Sequence, residues 1–186
     1  MNKVHLEYCS SEEWAAALRK WIVPMALENV DLGDDTLEVG PGPGRTTDLL
    51  REMTPKLTAV EIDKDLADAL SARMANTNVK VVNADATSLP FPDGRFSGAV
   101  SFIMLHHVPT PADQDRLLAE VARVLKKGGT FAGCDSLDGE GFRQMHVGDI
   151  CVPIPPDGFA ERLKNAGFSD VTVDPNPYVL NFRAVR

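Results

Sequence analysis

The chain has 186 residues, 44% of them apolar and 25% charged, which is the composition of one ordinary globular domain with a real core. Its formal net charge is -8 and its pI is near 4.9. That balance excludes a protein that grips nucleic acid through a broad basic face. The first residues, MNKVHLEYCSSEEW, lack the apolar core of a signal peptide, and no run approaches the roughly 18 apolar residues of a membrane span. A cytoplasmic protein is the default expectation. The first predicted element is a helix that starts at a capping box made by Ser10 and Glu13. Trp14, Leu18, Trp21 and Met25 then fall on one face, and Pro24 kinks the helix or starts a second one.

Alternation follows. TLEVG reads as a short buried strand and GRTTDLLREM as a helix that stops before Pro55. LTAVEI is a strand, and KDLADALSARM is a helix capped by Asp63, with Leu66, Leu70 and Met74 on one face. VKVVNA and FSGAVSFIML supply two more strands. Thr110 and Pro111 are N-cap and first residue of the next helix. Its stripe is Leu117, Leu118, Val121, Val124 and Leu125, and Lys126, Lys127 and Gly128 read as its C-terminus. TFAGCD is a strand, and residues 157–165 form a helix stopped by Gly167. FSDVTVD and YVLNFRAV are then separated by PNP alone, too short for a helical crossover, so this pair should be antiparallel.

The pattern predicts an α/β fold with a mostly parallel sheet and helices on both faces. We divide one domain, 1–186, into an N-terminal helical arm (1–34), a core (35–135), a variable loop (136–156) and a C-terminal helix with a strand pair (157–186). The variable loop, with two glycines and three prolines, is a lid or a plain surface loop.

Ligands of open parallel sheets bind beyond the carboxyl ends of the strands, where the strand order reverses. EVGPGPG stands at such an end. Gly40 and Gly42 permit positive φ and a close ligand, Gly44 permits close helix–strand contact, and Pro41 and Pro43 stiffen the loop. Glu61 ends the second strand about 20 residues on, where an acid can accept from ribose hydroxyls. Asp85 follows the third strand and can accept from an adenine amino group, or simply build an Asx turn. The G-x-G-x-G step is not the dinucleotide fingerprint, and no G-K-[ST] follows as in a phosphate loop. An adenosine ligand without a phosphate bridge fits best.

The motifs LEVGPGPG, VEID, NADATSLPFPDGRF, SFIMLHHV, EVARVLKKGGTF and RLKNAGFSDVTV, in this order over residues 35–174, resemble those of class I S-adenosylmethionine-dependent methyltransferases. The similarity is greatest to the branch of quinone-biosynthesis and other small-molecule enzymes. It implies a Rossmann-like seven-stranded sheet of order 3-2-1-4-5-7-6 with strand 7 antiparallel. It implies that Glu38 and the loop Gly40–Gly44 hold the methionine end of S-adenosylmethionine. Glu61 then takes the ribose, Ile62 packs on the adenine, Asp85 and Ala86 read its edge, and Phe102 borders the cofactor at the end of the fourth strand. The resembling proteins often carry an acid where this chain has Ser97, at the strand entrance.

The function this implies is methyl transfer to a small organic acceptor, leaving S-adenosylhomocysteine. The atom methylated and the oligomeric state are not readable, and neither a nucleic-acid partner nor a membrane span is expected. His106 is the candidate base, with His107 beside it, because both follow the fourth strand. Tyr8 either reaches over the cofactor or packs on the Trp14–Trp21 helix. No metal is expected. His146, Asp149 and Cys151 are spaced i, i+3, i+5, which is no helical ligand set, and the three cysteines, Cys9, Cys134 and Cys151, form no CxxC pair. Two rivals remain: a non-catalytic or regulatory binding protein of the same fold, and a nicotinamide oxidoreductase, which the glycine spacing disfavours.

Overall fold

The computed structural model describes residues 1–186. Seven strands form one sheet in the order β3-β2-β1-β4-β5-β7-β6. They are β1 Asp35–Val39, β2 Lys56–Glu61, β3 Val79–Asn83, β4 Phe96–Phe102, β5 Leu125–Ser136, β6 Ser169–Pro175 and β7 Val179–Val185. The first five run parallel, and β7 is antiparallel to both its neighbours. Strand order reverses at β1, which pairs with β2 on one side and β4 on the other.

Eight helices surround the sheet: α1 Lys3–Ser10, α2 Glu12–Ala17, α3 Val23–Ala26, α4 Arg45–Leu50, α5 Lys64–Arg73, α6 Pro111–Val124, α7 Glu140–Met145 and α8 Phe159–Asn165. Local chemistry sets several ends. Asp63 accepts from the backbone N–H groups of Asp65 and Leu66, and Thr110 accepts from that of Asp113, with Pro111 in the first turn. The stripe of α6 is buried against β4 and β5 in one core layer. Leu18, Val23, Ala26 and Leu50 build the layer on the opposite face.

The N-terminal arm departs from expectation in three ways. Residues 3–10 are already helical, and the cap of α2 is Ser11, which accepts from the N–H of Trp14. Ser10 instead ends α1 and donates to the Leu6 carbonyl. Between α2 and α3 the chain makes a π-helical turn, Leu18–Ile22, in which the Val23 N–H reaches back to the Leu18 carbonyl. Pro24 follows directly and has no N–H to donate. The extra residue in that turn rotates the stripe. Leu18, Val23 and Ala26 are buried, whereas Trp21 is 70% exposed.

A further departure lies after α6. Lys126 to Gly128 do not close the helix. They belong to β5, which starts immediately at the fully buried Leu125. Ser97 clamps the entrance of β1. Its hydroxyl accepts from the Asp35 N–H at 2.9 Å and donates to the Leu32 carbonyl at 2.8 Å. Gly98 lets the chain before β1 cross this strand closely, since a Cβ there would stand 2.5 Å from the Leu32 carbonyl oxygen.

Candidate active site

A cavity of about 460 Å³ opens beyond the carboxyl ends of β1, β2, β3 and β4. Its floor comes from Gly40–Pro43, Glu61–Asp63, Ala84–Thr87 and Phe102–Met104. The N-terminal arm roofs it through His5, Cys9, Trp14 and Leu18, and Asp149 and Ile150 close one side. Arg45 ties floor to roof. Its guanidinium donates to the Ser10 carbonyl and to Glu12.

Of the residues singled out in the sequence, Gly40, Pro41, Gly42, Glu61, Ile62, Asp85, Ala86 and Phe102 line this one cavity. Gly40 adopts φ 68°, and the Met104 side chain packs where its Cβ would stand, so only glycine fits at this point of the lining. The Glu61 carboxylate is 6% exposed and holds the loop in shape. It accepts from the N–H of Gly42 and from that of Asp63, each at 2.9 Å. Asp85 does make an Asx turn, accepting from Thr87 N–H and hydroxyl at 2.8 Å, but through one oxygen only. Ile62 is 68% exposed over the cavity, an apolar face with nothing packed on it. Ile103, also in the lining, holds φ 51°, costly for a β-branched residue and concentrated at functional sites when it occurs.

Three expected residues lie elsewhere. Gly44 turns away from the cavity and caps α4 in a left-handed conformation. Glu38 is buried beneath the loop and accepts from the hydroxyls of Thr46 and Thr47, so it shapes the start of α4 from below. Burial pushes its carboxyl up to about 7, against the pull of those two hydrogen bonds. His106 is fully buried and outside the cavity. The single 3-10 turn Leu105–His107 that follows β4 points its ring inward. There Nδ1 lies 2.5 Å from Asp135 and Nε2 lies 3.1 Å from Nε2 of His146. The neighbouring His107 is the one that faces the cavity. Tyr8 packs on Trp14, with ring centroids 5.5 Å apart.

Residues 5 and 146 complete a feature that sequence reasoning missed. The chain has four histidines, and all four rings form one cluster, with centroids 4.2–5.1 Å apart between neighbours. Burial lowers His5 to about 4 and His107 to about 3, and lowers His146 as well. These three rings are therefore neutral at neutral pH.

Residues 37–133, just over half of the chain, match a family model described as a methyltransferase domain. The chain belongs to the S-adenosylmethionine-dependent methyltransferases. The chain is 34% identical over 113 residues to ribosomal RNA small subunit methyltransferase A of Metamycoplasma arthritidis, covering 60% of this chain and 41% of that one. It is 31% identical over 110 residues to sterol 4-C-methyltransferase strm-1 of Caenorhabditis elegans, covering 56% and 32%. It thus spans less than half the length of these relatives. A solved SAM-dependent methyltransferase from Aquifex aeolicus superposes with a TM-score of 0.76 at 18% identity, covering 99% of this chain and 98% of that one. That likeness shows the fold. The cofactor of this methyltransferase family is S-adenosylmethionine, and the free Asp85 oxygen and the uncovered Ile62 suit an adenosyl ligand.

Proposed function

We propose that the chain transfers a methyl group from S-adenosylmethionine to a small organic acceptor held under the N-terminal arm. The reading rests on one observation: the ends of β1, β2, β3 and β4 converge on a single roofed cavity. In it the Gly40–Gly42 loop holds the methionine end, Glu61 the ribose, and Ile62, Asp85 and Ala86 the adenine, with Phe102 at the wall. When bound, S-adenosylmethionine supplies an electrophilic methyl group. The chain's own residues orient both partners and exclude water, and positioning of this kind lowers a barrier by several kcal/mol. His107, rather than His106, borders the space where an acceptor proton would leave.

Size and charge support this acceptor class. A cavity of about 460 Å³ has room for the cofactor and a small molecule, not for a folded RNA. Five carboxylates line it (Glu61, Asp63, Asp85, Asp113, Asp149) against one basic side chain that is charged at neutral pH, Arg45. Such a wall repels phosphate-rich acceptors and favours neutral or cationic ones. Although one relative acts on ribosomal RNA by name, the net charge of -8 also points away from that acceptor.

Calorimetry with S-adenosylmethionine and S-adenosylhomocysteine, followed by a labelled-methyl screen of small acceptors, tests the reading. Lack of binding at millimolar ligand would sink it. Binding without turnover on any acceptor class would favour a regulatory binding protein instead. Glu61→Ala should weaken S-adenosylhomocysteine binding by about 1–3 kcal/mol, because charged hydrogen bonds are lost. Glu61 also holds the loop, so the two roles need separation. Wild type should discriminate against a ligand lacking the ribose hydroxyls, and Glu61→Ala should lose that discrimination. Equal discrimination in both proteins would reduce Glu61 to a loop brace.

A further inference from the structure

We propose that His5, His107 and His146 bind one divalent transition-metal ion of the Zn²⁺ type, with an open coordination position toward the cavity. One ring nitrogen from each lies within 4.8 Å of the others. The three come from α1, from the turn after β4 and from the end of α7, so the ligands are brought together only by the fold.

The hydrogen bonds orient two of the rings as metal ligands. A carbonyl oxygen cannot donate, so a ring nitrogen bonded to one carries the proton. His146 Nδ1 lies 2.6 Å from the Phe142 carbonyl, and His107 Nδ1 lies 3.1 Å from that of Ile150. In the neutral rings both Nε2 atoms therefore carry a lone pair: that of His107 is free, and that of His146 faces His106 Nε2 at 3.1 Å, a contact the ion would take over. Pinning of the second nitrogen by a carbonyl is the outer support that metal-bound histidines have. His5 supplies an independent sign. It is 3% exposed, and its Nδ1 is buried without a hydrogen-bond partner. An orphaned buried nitrogen is costly unless something binds it. The Asp149 carboxylate, 3.7 Å from that nitrogen, adds negative charge beside the site.

Three imidazoles suit Zn²⁺, Co²⁺ or Ni²⁺ and not Mg²⁺ or Ca²⁺, which take oxygen ligands. Nitrogens around a tetrahedral ion at about 2.1 Å stand about 3.4 Å apart, so the ligands close inward from their present spacing on binding. His5 and His107 also line the cavity, which puts the vacant fourth position on its side. The ion would staple the N-terminal arm and the segment after α7 to the body of the domain. The metal site does not rest on the proposed function. A failure to bind S-adenosylhomocysteine would sink that reading and leave this one standing.

The test is a titration of the metal-stripped full chain with Co²⁺, read by its visible spectrum, and with Zn²⁺, read by competition with a chromophoric chelator. The expected result is one ion per chain with the intense bands of tetrahedral Co²⁺. His146→Ala and, separately, His5→Gln should each weaken binding by more than about 100-fold, beyond the 10–100-fold typical of losing an outer-shell partner. Thermal melting shows which variants are folded, and a folded one of the two suffices to decide. Absence of saturable binding below millimolar metal overturns the proposal. So does affinity within tenfold of wild type in a folded variant, which would put the ion on other groups such as Cys9 or Cys151.

Discussion

Asp135→Ala is expected to lower folding stability by about 3–5 kcal/mol, the range for removing one partner of a buried, hydrogen-bonded ionisable pair. Asp135 sits near the end of β5, is fully buried, and receives three hydrogen bonds. One oxygen accepts from His106 Nδ1 at 2.5 Å and from the Ser136 N–H at 2.7 Å, and the other accepts from the His106 N–H at 3.2 Å. Alanine would leave two backbone donors and one ring donor buried together without an acceptor. Asparagine keeps the shape and one acceptor oxygen. Its amide can donate to His106 Nδ1 once the ring changes tautomer, which moves the ring proton to Nε2, facing His146. Asp135→Asn should thus lose clearly less than Asp135→Ala. Urea unfolding of the three proteins measures both differences. An alanine variant within 1 kcal/mol of wild type would show that the carboxylate does not hold this turn.

The same pair shows where the sequence stopped being readable. Features set by neighbours in sequence were legible: the caps at Asp63 and Thr110, the glycine loop after β1, the antiparallel tail. Each depends on a few adjacent residues. The sheet order came from the resemblance and agrees with the structure. What failed depended on groups far apart along the chain or on unseen geometry. Position 106 followed the fourth strand as expected, but nothing local told which of His106 and His107 turns inward. The acceptor that decides it, Asp135, is 29 residues away. His5, His107 and His146 share no spacing rule at all. A 3.6-residue period puts Trp21 on one face with Leu18, and the π-helical turn Leu18–Ile22 breaks that period. The resemblance puts Glu38 at the methionine end of the ligand, and the structure buries it beneath the loop. The two hydroxyls that engage it from the first turn of α4 were the missed signal.

Glu38 yields the second large effect, one that pH reveals. The carboxyl is 1% exposed on the central strand, with Ala59 and Val100 as its neighbours across β2 and β4. Burial is the largest influence and raises it to about 7, from an ordinary 4.5. The hydroxyls of Thr46 and Thr47 lower it, and the charges of Asp48 and Glu61 raise it further. Between those two values the folded chain holds a proton that the unfolded chain has released. Stability from this group therefore falls as pH rises from about 4.5 to 7, by a total of about 3 kcal/mol, and levels off above. Glu38→Gln removes the titration and keeps the shape. One hydroxyl must then accept from the amide instead of donating, a small cost at every pH. The variant should melt at or slightly below the wild-type temperature near pH 4.5 and above it by pH 8, both measured without ligand. The crossing is the signature, since a substitution that only disturbs packing shifts the curve equally at all pH. A difference that stays constant from pH 4.5 to 8 would mean that Glu38 is charged in the fold throughout, with Thr46 and Thr47 overcoming its burial.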